Sequence, residues 1–394
     1  MTKVLMLGWE LFPYNSGGLG EACLHLAKSL SSKGAEITFI LPQKLPFNIN
    51  FMKLIFANGD EETSLLPSVY MSTKSGYVKR VHLEEFPPDY VRAAIKFAER
   101  TVELVGKMDV DIIHAHDWLT FPAAVAAKEV LNKPLILHVH STEFERTGGH
   151  SPNPYVYKIE KDGFDHADAI LPVGGFMKDV IVLNYGIDPR KIKVVYNGID
   201  DSDDRELAPA LTTFRELGYK IVLFLGRITL QKGPEYFVWA AKKVLQHNPK
   251  VIFVVTGSGD MQEYMVNEAA RLGILDKFVF TGFLRGEERD RIFQAADLYV
   301  MPSVSEPFGL TALEAISNDT PVLVSKQSGV SEILQHALKV DFWDINEMAN
   351  KILAVLSYEA LPKDLRIESR KEIKNFSWAK TADNVLSVYD SLIH

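Results

Sequence analysis

Short apolar runs without polar alternation recur along the chain, and several of them are followed by a glycine-containing turn and a segment of helical periodicity. Val4 to Leu7 and Ile37 to Leu41 are such runs in the front half, and Ile221 to Leu225 and Val251 to Val255 are such runs in the back half. An uninterrupted apolar strand is typical of a parallel sheet that helices cover on both faces. The pattern predicts β–loop–α–β units, which bind ligands at the carboxyl ends of their strands.

Length and composition limit the classes of protein that the chain can represent. A chain of 394 residues is too long for one ordinary core and suggests two domains. The net charge of −8 disfavours a nucleic-acid partner, and the single cysteine, Cys23, excludes a disulfide framework and a multi-cysteine zinc site. The chain shows neither an apolar run long enough to span a membrane nor a signal peptide. We therefore expect a cytoplasmic protein without an integral membrane segment, while peripheral membrane contact stays open.

One stretch of the back half combines a predicted helix start with two carboxylates. It comprises Glu306, Pro307, Phe308, Gly309, Leu310, Thr311, Ala312, Leu313 and Glu314. A helix start binds anions through its free N–H groups. Because two carboxylates cannot share one phosphate, we expect the phosphate on the amides of Gly309 to Thr311, with Glu306 and Glu314 accepting hydrogen bonds from hydroxyl groups on either side. A nucleotide sugar has this chemistry, and the alternative is an ordinary strand–turn–helix with surface carboxylates.

The first apolar run of the back half ends in a turn with two cations. Arg227 and Lys232 lie between Gly226 and Gly233, and Pro234 begins a predicted helix. Departure of a diphosphate develops negative charge, which fixed Arg and Lys side chains stabilise without a metal ion. The alternative is a pair of solvated loop cations.

Glycines also follow the first run of the front half and the second run of the back half. Neither place carries the dinucleotide fingerprint, because its third glycine would fall on Cys23 in the front half and on Gln262 in the back half. A nicotinamide-dependent oxidoreductase is therefore disfavoured. The glycines themselves could also be simple turn formers.

Two histidines follow the apolar pair Ile112 and Ile113. Alternation places His114 and His116 on the same face if the strand continues that far. A metal site would need further ligands, and none is spaced suggestively nearby. For His114 a structural role is the favoured interpretation.

These motifs resemble the retaining GT-B glycosyltransferases of the large family 4 type, the glycosyl transferases group 1, and are similar to glycogen and starch synthases. The resemblance is carried by Glu-x7-Glu around Pro307 to Leu310, by Gly-Arg-x4-Lys-Gly, by His-x-His-Asp, and by Val-x-Asn-Gly-Ile-Asp at 195–200. It implies two facing Rossmann-like domains with doubly wound parallel sheets. The expected divisions are an acceptor-side domain at 1–200, a linker at 201–218, a donor domain at 219–375, and a C-terminal helix at 376–394 that returns to the first domain.

The resemblance implies metal-independent, retaining transfer of a hexose from a nucleoside-diphosphate sugar to a carbohydrate or other hydroxyl acceptor, without a cofactor. It makes His116 and Glu306 the catalytic residues beside the transferred sugar. Glu314 favours a ribose with both hydroxyls free. Because synthases that use ADP-glucose commonly lack this second glutamate, the resemblance favours UDP or GDP. The expected donor contacts are Gly18, Arg227, Lys232, Gly257, Leu284, Phe308, Gly309, Leu310, Thr311 and Glu314. The expected acceptor-side residues are Gly17, His140 and Glu143, for which a solvated loop is the alternative.

The chain departs from the synthase pattern in two places. Leu119 stands where bacterial glycogen synthases have a further histidine, and Asn15-Ser16 stands where starch and glycogen synthases have a lysine. Elongation of an α-glucan, a nucleotide-sugar epimerase and a catalytically silent nucleotide-sugar-binding protein are therefore alternatives. Asp201-Ser202-Asp203 matches a metal-binding motif superficially, but it lies in the predicted linker, so we expect no metal there. No oligomeric state follows from the sequence.

Overall fold

The computed structural model describes residues 1–14, 17–58, 88–149, 151–200 and 209–394, which divide into two compact units. The first unit comprises Met1–Gly198 and Trp378–His394, and the second comprises Ile199–Ser377. The Asn15-Ser16 position and the Asp201-Ser202-Asp203 motif lie outside the described residues.

In the first unit, strands and helices alternate along the chain. The strands are β1 (Lys3–Leu7), β2 (Glu36–Leu41), β3 (Lys53–Phe56), β4 (Ile112–His116), β5 (Leu135–Val139) and β6 (Ala169–Pro172). The helices are α1 (Gly18–Ser32), α2 (Asp89–Val105), α3 (Phe121–Leu131), α4 (Glu143–Arg146), α5 (Pro154–His166) and α6 (Gly175–Tyr185).

The strands of the first unit form one six-stranded sheet in the order β3-β2-β1-β4-β5-β6, and its neighbouring strands pair in parallel. The central strands are buried at nearly every position, as in β4 and β5. This burial explains their continuous apolar runs, since helices cover both faces of the sheet. The strand order reverses between β1 and β4, and that reversal is where ligands bind in open α/β sheets.

The second unit repeats this plan. Its strands are β7 (Lys220–Leu225), β8 (Val251–Thr256), β9 (Phe278–Gly282), β10 (Leu298–Met301), β11 (Val322–Ser325) and β12 (Leu338–Val340). Its helices are α7 (Pro209–Glu216), α8 (Pro234–His247), α9 (Gln262–Arg271), α10 (Gly286–Ala295), α11 (Leu310–Ser317), α12 (Val330–Ile333), α13 (Ile345–Ser357) and α14 (Ala360–Ile373). Part of the predicted 201–218 linker is therefore helical, as α7.

The second sheet is six-stranded and parallel in the order β12-β11-β10-β7-β8-β9, which is the topology of the first sheet. Its core contains interlocking aromatic rings, with Phe237 of α8 packed edge-on against Phe253 and Phe278 of the sheet. The order of strands reverses between β7 and β10. The predicted fold class, two doubly wound parallel-sheet units, is confirmed.

The last helix, α15 (Trp378–Ile393), belongs to the first unit and packs against α1. The Thr381 hydroxyl donates to the carbonyl oxygen of Tyr196 at 2.9 Å, and the Trp378 ring stacks on His25. The predicted return of the C-terminal helix is confirmed. Among the described helices, none is long and apolar enough to cross a membrane.

Helix α4 begins with a capping box that contains a buried carboxyl group. The backbone N–H of Thr142 donates to Glu145 Oε2 at 2.9 Å, and the Thr142 hydroxyl lies 3.2 Å from the same oxygen. Burial raises the pKa of Glu145 to about 8, against the hydrogen bonds from Thr142, which lower it. The folded chain therefore holds this proton more tightly than the unfolded chain does.

We predict that Glu145→Gln flattens part of the pH dependence of stability. Because the folded pKa of Glu145 lies above its ordinary value of 4.5, wild-type stability falls as pH rises from about 4.5 to 8. Glutamine preserves the capping box but does not titrate. Between pH 5 and pH 8 the variant should gain on the order of 3 kcal/mol relative to wild type. Urea unfolding at both pH values measures this difference, and a constant difference would contradict the assignment.

Candidate active site

In the second unit, the turns that follow β7 and β10 meet at the carboxyl edge of the sheet. These two strands are neighbours in the sheet, although β8 and β9 separate them in the sequence. Arg227 and Lys232 follow β7, whereas Glu306 follows β10 and precedes α11. The backbone N–H of Val304 donates to the carbonyl oxygen of Gln231 at 2.9 Å and ties the two turns together. Arg227, Lys232 and Glu306 therefore lie where the strand order reverses.

Lys232 and Glu306 form a direct ion pair across these turns. Lys232 Nζ donates to Glu306 Oε2, and the two side chains are only 17% and 9% exposed. The Ser303 hydroxyl lies 3.2 Å from the same carboxylate oxygen. A charge-assisted bond with this little solvent fixes both side chains more firmly than an exposed pair would. Two residues that the sequence assigned to separate ligand groups thus contact each other.

Helix α11 begins immediately after Gly309, whose φ is 108°. A side chain at Gly309 would be strained in this left-handed conformation, and its Cβ would lie only 3.0 Å from Met301 Cε and Val330 Cγ1. Because the helix starts at Leu310, the N–H groups of Leu310 and Thr311 have no acceptor within the helix, whereas the N–H of Ala312 donates to the carbonyl oxygen of Gly309 at 3.0 Å. Phe308 is 3% exposed and anchors the turn in the core.

The hydroxyl group of Thr311 is held by Tyr299 of β10. The Tyr299 hydroxyl lies 2.8 Å from Thr311 Oγ1 and 3.1 Å from the carbonyl oxygen of Leu225. A carbonyl can only accept, so Tyr299 donates to Leu225 and accepts from Thr311. The side chain of Thr311 is thereby oriented, which leaves its backbone N–H as the group for an anion.

Glu314 is fixed by a residue that sequence reasoning missed. Arg289 Nη1 of α10 donates to Glu314 Oε1 at 2.9 Å, and Arg289 also pairs with Asp290. The Glu314 side chain is 10% exposed. Nothing in the sequence around Arg289 marks it, since the contact depends on how α10 and α11 pack side by side.

The turns after β7, β8 and β9 pack backbone against backbone. Gly226 N–H donates to the Thr256 carbonyl at 3.0 Å, and Gly257 N–H donates to the Gly282 carbonyl at 2.8 Å. A Cβ atom at Gly257 would lie 1.9 Å from the carbonyl oxygen of Gly226, and the φ of Gly257 is 136°. Gly257 is therefore required for the close approach of two turns, and Leu284 follows them, partly exposed.

In the first unit, four histidines lie together on β4 and at the end of β5. His116 Nδ1 lies 3.1 Å from His140 Nε2, and His114 Nε2 lies 3.2 Å from His138 Nδ1. The Tyr389 hydroxyl of α15 lies 2.6 Å from His114 Nδ1. Strand β4 does continue through His114 and His116, which share a face with their ring centroids 4.6 Å apart.

Burial determines the charge of this histidine cluster. Burial lowers the pKa of His114, His116 and His138 well below the ordinary value, with a further lowering by neighbouring histidines. Burial also lowers the pKa of His140 to about 3. The rings are therefore neutral at neutral pH, and each close nitrogen pair shares one hydrogen bond. The structure places the predicted residues His116 and His140 in contact, whereas sequence reasoning missed His138, although His-x-His occurs in both segments.

Asp117 links the ends of β4 and β5. Its φ is 60°, and its Oδ1 accepts hydrogen bonds from the backbone N–H groups of His140 at 2.7 Å and Ser141 at 3.3 Å. Burial raises the pKa of Asp117 to about 6, while nearby Arg146 and the backbone donors lower it. The aspartate of the His-x-His-Asp motif thus fixes the backbone beside His140.

The remaining acceptor-side predictions lie close to the ends of β1 and β5. Gly17 caps α1 and Gly18 begins it, after the loop that follows β1. Glu143 is 8% exposed, and its two oxygens accept from Arg146 Nε and from the backbone N–H of Asn153, each at 3.1 Å. This carboxylate holds the loop together, and its contact with an acceptor stays a prediction.

Comparison with known proteins agrees with these features. The family model for glycosyltransferase family 4 matches residues 16–203, and the model for glycosyl transferases group 1 matches residues 213–372. An uncharacterized glycosyltransferase of Methanocaldococcus jannaschii is 30% identical, with 98% of this chain and 97% of that protein covered. A glycogen synthase of Mycobacterium tuberculosis is 24% identical, with 98% and 94% covered.

Solved structures show the same fold. A sucrose-phosphate synthase from Thermosynechococcus elongatus has a TM-score of 0.78 at 19% identity and covers 100% of this chain and 99% of its own. Anabaena HepE in complex with UDP-glucose has a TM-score of 0.73 at 17% identity and covers both chains completely. The paired doubly wound sheets define a GT-B fold. The chain belongs to the glycosyl transferases group 1, of the family 4 type, and is therefore a glycosyltransferase.

We predict that Gly257→Ala destabilises the second unit far more than Gly273→Ala. Both glycines have positive φ, but a Cβ at Gly273 meets nothing within 4 Å, whereas one at Gly257 overlaps the backbone of Gly226. The control should lose about 1 kcal/mol through backbone strain alone, and Gly257→Ala about 3 kcal/mol or more. Denaturant unfolding compares them. Equal losses would contradict the close packing of the two turns.

Proposed function

We propose that the chain transfers a hexose from a nucleoside-diphosphate sugar to a hydroxyl acceptor, with retention of configuration and without a metal ion. The observation that carries this proposal is the meeting of Lys232, Glu306 and the start of α11 at the strand-order reversal of the second unit. This place offers a cation and backbone N–H groups for a diphosphate, next to carboxylates for hydroxyl groups.

The diphosphate of the donor binds at the two turns. Arg227 and Lys232 neutralise the charge that develops as the diphosphate leaves, and the N–H groups of Gly309 to Thr311 bind its oxygens. These fixed charges take the part that a divalent ion takes in other transferases. This role for Arg227 and Lys232 is supported by their position in the turn after β7, beside α11.

Glu306 binds hydroxyl groups of the transferred sugar rather than attacking it. One of its oxygens already accepts hydrogen bonds from Lys232 and Ser303, which makes that oxygen a weak nucleophile. We therefore favour front-face substitution. The acceptor oxygen bonds to the anomeric carbon, the bond from that carbon to the diphosphate breaks, and the acceptor proton passes to the departing phosphate oxygen.

Glu314 accepts hydrogen bonds from the ribose. Arg289 Nη1 donates to Glu314 Oε1 and so orients the carboxylate that we assign to the two ribose hydroxyls. A ribonucleoside-diphosphate sugar is the donor class that this contact favours, and among these we propose a UDP- or GDP-sugar. The similarity to Anabaena HepE, whose structure contains UDP-glucose, supports UDP as the first nucleotide to test.

In the first unit, His116 is the proposed catalytic residue and acts as a neutral imidazole. Its hydrogen bond with His140 fixes the ring, and burial keeps it uncharged. Gly17 and Glu143 lie at the starts of helices that follow strands of this unit, which supports an acceptor-side role for them, and the donor role of Gly18 at the start of α1 stays a proposal.

Elongation of an α-glucan is the second candidate. The similarity to a glycogen synthase of Mycobacterium tuberculosis favours it, whereas Leu119 departs from the synthase pattern. Incubation with a UDP-sugar and either a glucan or a small polyol acceptor separates the two candidates, since only a synthase lengthens the glucan.

We predict that Glu306→Gln lowers the rate of transfer about a hundredfold or more, because the variant loses a charged contact that strengthens in the transition state. Initial rates of transfer or donor hydrolysis in the presence of EDTA measure this. Glu263→Gln, at an exposed position on α9, is the matched control and should keep the wild-type rate. Equal rates in Glu306→Gln and wild type would overturn the site, and loss of wild-type activity in EDTA would overturn metal independence.

We predict that Lys232→Ala weakens the binding of UDP or GDP by about tenfold or more, since a hydrogen bond to a charged group contributes about 1.5–3 kcal/mol. Isothermal titration calorimetry with each diphosphate measures the affinity. Lys250→Ala removes an exposed cation just before β8, at the opposite end of the strands, and should bind as wild type does. Unchanged affinity in Lys232→Ala would refute the role of this lysine.

A further inference from the structure

The only cysteine in the sequence lies against the histidine cluster of the first unit. Cys23 is on the buried face of α1, which packs on the sheet, and it is 0% exposed. Its sulfur and one ring nitrogen each of His116 and His140 all lie within 4.8 Å of one another. Sequence spacing did not reveal this group, because its members come from a helix, a strand and the segment after the next strand.

The three donor atoms suit a borderline divalent ion. Zn²⁺ is bound by thiolate at about 2.3 Å and by imidazole at about 2.0–2.1 Å in tetrahedral geometry, which places two nitrogen ligands about 3.3 Å apart. One ring nitrogen of His116 and one of His140 lie within 4.8 Å of each other and of the sulfur. The distance from the Cys23 sulfur to each ring nitrogen has to shorten by less than about 1.5 Å for the three atoms to occupy three of the four positions around the ion.

Buried polar atoms in this region lack hydrogen-bond partners among the described residues. They are His116 Nε2, His138 Nε2 and Asp117 Oδ2. His116 and His138 are 0% exposed, and Asp117 is 3% exposed. A buried polar atom without a partner costs about 1–3 kcal/mol, so such atoms are uncommon unless another group satisfies them. His116, a member of the Cys23 group, therefore has a buried ring nitrogen without a hydrogen-bond partner among the described residues, which indicates a place for a ligand.

The surrounding charges favour a cation. Burial is the largest cause of the raised pKa of the Cys23 thiol. The negative charges of Asp117 and Glu10 raise this pKa further, so both carboxylates act on the sulfur electrostatically. An imidazole binds a metal ion through the lone pair of its unprotonated nitrogen, and a cysteine binds as thiolate. A divalent ion would balance the negative charge of these carboxylates and of the thiolate.

We propose that Cys23, His116 and His140 bind a Zn²⁺-type ion, with water in the fourth position, and that the bound ion inhibits the enzyme.

The overlapping group of His114, His116 and His138 is the weaker candidate, because both nitrogens of His114 are hydrogen-bonded, one to Tyr389 and one to His138. The ion inhibits transfer because it occupies His116, and this inhibition rests on the catalytic role proposed for that residue. On binding, the Cys23 thiol releases its proton to solvent, and the imidazole proton between His116 and His140 moves to the other nitrogen of its ring.

Titration of the chelator-treated full-length chain with Co²⁺ tests the site independently of activity. We expect one equivalent to bind, with the near-ultraviolet charge-transfer band of a cobalt–thiolate bond and the visible bands of tetrahedral cobalt. Cys23→Ser should lose the charge-transfer band, and His140→Gln should weaken binding at least about tenfold. His247→Gln, at an exposed helix end, is the control and should bind as wild type does. Absence of the thiolate band in the wild-type chain, or equal affinity in Cys23→Ser, would overturn the proposal.

Zn²⁺ added to the transfer assay tests inhibition. We expect activity to fall with saturation of the site and to return with EDTA, and we expect Cys23→Ser to be at least about tenfold less sensitive. Circular dichroism checks that both variants are folded. An active enzyme that Zn²⁺ leaves unchanged at saturation would refute inhibition. A chain that binds Co²⁺ through Cys23 but transfers no sugar would refute the proposed function and leave the metal site standing.

Discussion

Parallel pairing between strands that are distant in sequence is the constraint on which the functional residues depend. β4 pairs with β1, and β10 pairs with β7, so each sheet reverses its strand order at its centre. At that reversal the loops after two neighbouring strands run to opposite sides and leave room for a ligand. In the second unit Lys232 follows β7 and Glu306 follows β10, so their contact depends on this pairing, and in the first unit His116 is the last residue of β4.

The two units use this shared plan for different chemistry. In the second unit the edge carries charge, with Lys232 paired to Glu306 and Arg289 paired to Glu314. In the first unit the edge carries neutral rings, since burial keeps the histidines of β4 and β5 unprotonated. A charged edge suits a diphosphate and its ribose. The neutral rings at the edge of the first sheet can form hydrogen bonds with sugar hydroxyls, and they can also bind a borderline divalent ion.

The sequence was informative about elements and less so about contacts. Continuous apolar runs predicted β1, β2, β7 and β8, because a strand buried on both faces of a sheet consists almost entirely of apolar residues. The helix that begins after Gly309 followed from a local motif. The Lys232–Glu306 pair joins residues 74 positions apart, and the contact of Cys23 with His116 joins a helix to a strand. Such contacts arise from packing, so no local pattern predicts them.

The central claim is that the second unit holds the diphosphate of the donor between Lys232 and the start of α11. A crystal structure of the protein with bound UDP or GDP tests it most directly. The account predicts phosphate oxygens within hydrogen-bond distance of Lys232 Nζ and of the backbone N–H groups of Gly309 to Thr311, with the ribose hydroxyls on Glu314. A diphosphate bound elsewhere, with Lys232 and Glu306 still paired only to each other, would contradict it.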